Sequence, residues 1–158
     1  IDVINNGVSV DTTSGMLARF YEMAIKHEPN YIIITGGTND LSLNLPDNLI
    51  IANLLAMVRS AKHYEIIPII GIPTPFFNQG DFTDESPFIE ASNLSTRIHS
   101  FQKTLKQFCL SDDQHFIDFS LHMHSALFLQ DGLHPNEKGH LVMSENATSS
   151  LMKIFNQL

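Results

Sequence analysis

YIIITGGTND, residues 31–40, decides how the rest of the chain is read. Tyr31–Ile34 is an aromatic and β-branched run without polar alternation. That composition suits a strand covered on both faces, as in a parallel sheet flanked by helices. Gly36 and Gly37 break the run, and Asn39 then stands just past the strand's carboxyl end. Three more short runs read as strands of the same kind: IDVIN (1–5), IIPIIGIP (66–73) and HFIDF (115–119). Pro68 has no N–H to give to a ladder, so the third of the four strands is expected to begin near it or carry it at an edge.

Helical patterns separate these runs. Met16, Phe20, Met23, Ala24 and His27 recur at spacings of three and four across 14–28, with Asp11, Thr12 or Thr13 placed to cap. Similar stripes run across 47–64 (Ile50, Leu54, Met57, Val58, Ala61), 88–110 (Leu94, Ile98, Phe101, Leu105, Phe108) and 136–157 (Leu141, Ala147, Leu151, Ile154). These are core-facing stripes. Strands alternating with helices predict a single α/β domain over residues 1–158, a three-layer α/β/α sandwich around a parallel sheet. Ligands in such sheets bind beyond the carboxyl ends of the strands.

The chain has 158 residues, 43% of them hydrophobic and 16% charged, enough for one core. A formal charge of -8 with only 9 Lys+Arg argues against nucleic acid and against an anionic membrane surface. No apolar run approaches the ~18 residues of a membrane helix. No signal peptide is visible, so the expected compartment is the cytoplasm. The lone Cys109 excludes an internal disulfide and reads as a buried thiol on an apolar helical face.

Three loops carry candidate chemistry. QDGLHPNEKGH (130–140) sets Asp131 and His134 three apart in a turn freed by Gly132 and bounded by Pro135. An aspartate can fix the tautomer of a histidine that takes a proton from a nucleophile. A polar turn capping the last helix would look the same in isolation. In GGTND, the Asn39 amide is placed to donate to an oxyanion, although Asn39 or Asp40 could equally cap its own loop. This stretch has neither GxGxxG nor a Lys-Ser/Thr ending, which speaks against a phosphate loop. NNGVSVDTT (5–13) follows the first strand and leads into a helix, offering backbone N–H groups. The long loop after residue 73 carries Phe76, Phe77 and Phe82, an expected apolar lip for substrate. His122-Met123-His124 is H-x-H without a partner cluster, and no metal or cofactor is expected.

Taken in order, these loops resemble the SGNH hydrolase superfamily of GDSL-like lipases and acylhydrolases. VINNGVSVDTTSGMLARF is similar to the family's second block, GGTND to its G-x-N-D block, and DGLHPNEKGH to its D-x-x-H-P block. The resemblance covers essentially the whole chain. It implies a flavodoxin-like sheet and ester hydrolysis of a small-molecule substrate by a Ser-His-Asp triad. His134 would be the general base, Asp131 its orienting acid, and Asn39 the side-chain oxyanion donor. The family's oxyanion glycine falls on Val10, whose backbone N–H would serve and whose β-branched side chain resists a positive φ. The family's Gly-Asp-Ser block has no counterpart here. Ser9, Ser14, Ser42, Ser120 and Ser125 stand in the wrong blocks. With the family strand order 2-1-3-4-5, IDVIN would be strand two, and the first central strand and its serine would lie upstream of Ile1. The domain is therefore expected to be N-terminally incomplete. Two other classes share the strand-end crevice: a non-catalytic SGNH-like binding module and a flavodoxin-like ligand binder.

Overall fold

A computed structural model describes residues 2–77 and 91–156. Three parallel strands form the sheet in the order β1 (Tyr31–Thr35), β2 (Ile67–Ile72), β3 (Phe116–Asp118). Ile33 pairs with Ile69 and Thr35 with Gly71, while Ile70 to Ile72 pair with Phe116 to Asp118. Pro68 pairs with Ile32 at the end of β2 that β3 does not reach, so its missing N–H breaks no ladder on that side. Its carbonyl accepts from Gln114 Nε2 instead.

The helices follow the predicted stripes. They are α1 (Thr13–Met23), α2 (Thr38–Ser42), α3 (Asp47–His63), α4 (Ala91–Ser111) and α5 (Glu137–Phe155). Thr12 caps α1 through Gly15 N–H, and Asn136 caps α5 through Gly139 N–H. The strands' alternation sorts the core into two bodies, because successive side chains point to opposite faces. Ile34, Ile70 and Ile72 pack with α1, α3 and α4. Ile69 and Ile117 pack with Ile154, Leu151 and Ala147 of α5. The layers are helix, sheet, helix, as the sequence predicts. Cys109 is buried in the larger body, where desolvation pushes its thiol up to about 11, an inert group.

The expected first strand is corrected. Residues 2–5 are irregular and exposed, with Val3 85% and Ile4 63% accessible. Their apolar side chains have no sheet to join: no described strand lies beyond β1. The outer edge of β1 is likewise unpaired among the described residues, and Ile33 there is 46% exposed. The 14–28 helix is shorter than its stripe. It ends at Met23, and a 3-10 turn, Ile25–His27, closes on Glu28 in the left-handed region. The short helix α2 has no periodicity long enough to see in sequence. Gly37 precedes it at φ +113, and a Cβ there would lie 2.9 Å from Phe101 Cε1. Both the backbone and the space require glycine. Among the described residues, no helix is long and apolar enough to cross a membrane.

Candidate active site

The residues predicted for the site fall in two clusters at the carboxyl ends of the strands. The first is built on the loops before α1 and after β1. Asn39 opens α2, and its Nδ2 donates to the Asp11 carbonyl at 2.8 Å. One amide hydrogen thus fastens residues 10–13 beside α2, and the second has no partner among the described residues. Val10 adopts φ +63, the left-handed conformation that glycine favours, and its side chain is exposed. A β-branched residue pays about 1–2 kcal/mol for that backbone. The surroundings impose it. Arg19 pairs with Asp11 at 2.7 Å and donates to the Asn6 carbonyl at 2.7 Å, pinning the loop on both sides of Val10. Gly15 leaves room for this, since a Cβ there would sit 2.0 Å from Asp11 Oδ1. The Val10 N–H makes no hydrogen bond among the described residues. Two donors, a backbone N–H and a side-chain amide, therefore stand on adjoining loops with capacity to spare.

The second half is the turn at 131–134. Asp131 Oδ1 accepts from Leu133 N–H at 2.8 Å and His134 N–H at 2.9 Å, while Gly132 at φ +64 reverses the chain. The same carboxylate's Oδ2 lies 2.7 Å from His134 Nδ1. Partial burial alone would raise the Asp131 carboxyl. The two N–H bonds and the imidazole outweigh it and hold it below its ordinary value of 3.8. His134 is 69% exposed, so Nδ1 is held by the acid and Nε2 faces outward. That is the polarity a general base needs. Leu133 packs against the larger core, and the His134 carbonyl accepts from Leu129 N–H at 2.8 Å, which anchors the turn beneath the ring.

A lowered carboxyl has a direct consequence for stability. A group whose pKa falls on folding stabilises the native state above its unfolded value, and that support vanishes as pH drops through the folded value. Comparing Tm of the parent and Asp131→Asn, we expect a clear destabilisation near neutrality that shrinks below about pH 4. A difference that stays constant down to about pH 2 would contradict the hydrogen-bonded carboxylate.

The aromatic lip divides. Phe76 is buried at 1% exposure in the larger core, so it is corrected to a packing residue: its ring fills the space over α4, and Ser95 Oγ donates to its carbonyl. Phe77 is half-buried, stacks edge-on against Phe128 with centroids 5.2 Å apart, and donates its N–H to the Gly132 carbonyl at 2.9 Å. It ties the end of β2 to the Asp131–His134 turn. Phe82 lies outside the described residues.

Sequence reasoning missed the buried polar network under the first half. Asp40 is 0% exposed and receives Thr13 N–H at 3.1 and 3.0 Å and Thr13 Oγ1 at 2.6 Å. Asn53 of α3 donates to Thr13 Oγ1 and Ser14 Oγ. The signal in sequence was the Asp following Asn39, which reads equally as a loop cap.

The hydroxyls of Ser42 and Ser120 are engaged elsewhere. Ser42 donates to the Asn39 carbonyl and Ser120 to Asp118, which Lys106 also pairs at 2.5 Å. Two concavities open at the opposite, amino ends of the strands, one bordered by Lys62 and His115 and the other by Tyr21 and Tyr64. Among the described residues that line them, no acid is paired with a histidine.

Comparison with known proteins bears on the family and the fold. The profile of the GDSL-like Lipase/Acylhydrolase family matches residues 1–142. An arylesterase from Vibrio mimicus is 36% identical over 62 residues, which span 39% of this chain and 31% of that protein. The chain thus matches about a third of that relative's length. A GDSL-like lipase from Bacteroides thetaiotaomicron superposes with a TM-score of 0.83 at 23% identity, covering 96% of this chain and 76% of the other. An acetylxylan esterase from Geobacillus stearothermophilus does so at 0.74 and 20% identity, covering 93% and 70%. The last two likenesses establish the fold. With its profile matched from strand-end loop to final helix, the chain belongs to the GDSL-like lipase/acylhydrolase family.

Proposed function

We propose that this chain contributes the acid–base pair and the oxyanion donors of a serine ester hydrolase. The observation that carries the proposal is the His134 Nδ1–Asp131 Oδ2 contact of 2.7 Å, with Nε2 left outward at the carboxyl end of the sheet. In the proposed reaction a serine Oγ attacks the ester carbonyl carbon and its proton passes to His134 Nε2. Asn39 Nδ2 and Val10 N–H hold the oxygen as it becomes anionic. Collapse expels the alcohol, protonated by His134, and water then releases the acid from the acyl-enzyme by the same route.

The serine in this proposal lies outside the 158 residues, on a strand paired to the outer edge of β1. The unpaired edge, the exposed Ile33 and the stranded Val3 and Ile4 support it, since such a strand would cover all three. The left-handed Val10 supports the enzyme over a non-catalytic module, because a β-branched residue held at positive φ at the proposed donor is a strain that a function would account for. The family names of the relatives, lipases and esterases, suggest small ester substrates. The test is hydrolysis of p-nitrophenyl acetate and butyrate by the protein expressed from its whole gene. Turnover of either is expected; a folded protein with no turnover above buffer would contradict the proposal.

A further inference from the structure

The two proposed oxyanion donors, the Val10 N–H and the Asn39 amide, stand on loops that the Asn39–Asp11 bond joins across 28 residues of sequence. Something must set their spacing, because a donor helps only when it sits 2.7–3.1 Å from the developing anion. We infer that Asp40 is a positioning residue that fixes this spacing, an inference that rests on the oxyanion roles proposed above. Consecutive residues of α2 grip residues 11 and 13: Asn39 holds the Asp11 carbonyl, and Asp40 holds the Thr13 N–H and hydroxyl. The Val10 N–H is one residue from that grip.

Asp40 is also the least adjustable member of the site. It is fully buried, and both its oxygens are engaged by Thr13. Thr13 is itself buried, and its hydroxyl, having donated to Asp40, accepts from Asn53. The chain α3–Asn53, α1–Thr13, α2–Asp40 therefore has one consistent donor order. An amide at position 40 breaks it: whichever way it faces, its Nδ2 meets a Thr13 donor, the N–H on the Oδ2 side or the N–H and hydroxyl on the Oδ1 side. The cost of a buried polar mismatch would be met by sliding residues 10–13 away from α2, which separates the donors.

The experiment measures kcat, KM and Tm on the protein expressed from its whole gene, for Asp40→Asn, Thr13→Val, Thr13→Ser, Asn39→Ala, His134→Ala and Asn39→Ala/Asp40→Asn. Asp40→Asn and Thr13→Val are each expected to lower kcat about 10- to 100-fold with KM within about twofold, as for a misplacement of roughly 1 Å. Thr13→Ser, which restores the hydroxyl, should recover most of that loss. In the Asn39→Ala background Asp40→Asn should cost clearly less in kcat than it does alone, because one of the two donors whose spacing it sets is already gone. Multiplicative losses, or a lowered Tm with kcat intact, would overturn the inference. Should Asp40→Asn fail to fold, the Thr13→Val and Thr13→Ser pair decides by the same criterion. If Asn39→Ala and His134→Ala abolish activity while Asp40→Asn does not, the positioning role falls and the proposed function stands. If neither of those two lowers activity, the proposed function falls and this inference with it.

Discussion

His134→Ala is expected to remove nearly all ester hydrolysis, lowering kcat by about 10⁴-fold or more. The magnitude follows from what the ring does twice per turnover. In the proposed reaction it takes the nucleophile's proton during attack and gives it to the departing alcohol. Without it, a serine hydroxyl must attack in its weakly nucleophilic neutral form. The turn itself should survive. Its backbone bonds run from Leu133 and from the position-134 N–H to Asp131, and an alanine retains that N–H. Because the ring is largely exposed, its loss leaves no cavity, and Tm should change little. Steady-state kinetics with a calorimetric Tm separates the two effects. Activity within tenfold of the parent would remove His134 from the mechanism.

Asn39→Ala is the second large effect, about 10²- to 10³-fold in kcat with KM nearly unchanged. In the proposed reaction the amide's second hydrogen meets a carbonyl oxygen weakly in the ground state and strongly once the oxygen is anionic, so the loss would belong to the transition state. Unlike His134, Asn39 also has a structural bond, to the Asp11 carbonyl. A modest fall in Tm, on the order of 1 kcal/mol in stability, should accompany the kinetic loss. A rise in KM with kcat intact would make Asn39 a ground-state binding residue instead.

The parts of the fold legible in sequence are those with a repeating physical cause. Buried parallel strands write themselves as β-branched runs, and Tyr31–Thr35 and Ile67–Ile72 fall inside the predicted segments. Helices α3 and α5 agree with their apolar stripes to within about two residues because one face of each must be covered. Residues 2–5 have the same composition yet form no strand, because composition states what a segment can bury and not whether a neighbour is there to bury it. Phe76 failed as a lip for a related reason: an aromatic in a long loop satisfies the same pattern whether it points out or fills the core.

In the site, Asp131 and His134 were legible because their spacing alone brings them together within one turn. Asn39 was legible from its place after a strand. Asp40 was not, since its partner Thr13 lies 27 residues before it and is held in turn by Asn53, a network that only the packing of α1 against α3 completes. Val10 ran the other way. Its side chain argues against a positive φ, but the Arg19–Asp11 pair and the Asn39 bond hold the backbone there regardless.

The central claim is that His134 and Asp131 activate a serine. The direct measurement is labelling by a serine-directed alkyl phosphonate of the protein expressed from its whole gene, with the adduct mapped by peptide mass spectrometry and His134→Ala run alongside. One phosphonylated serine, located on a strand outside residues 1–158 and not labelled in His134→Ala, is the result expected. No adduct in the active protein, or labelling that is indifferent to His134, would contradict the account.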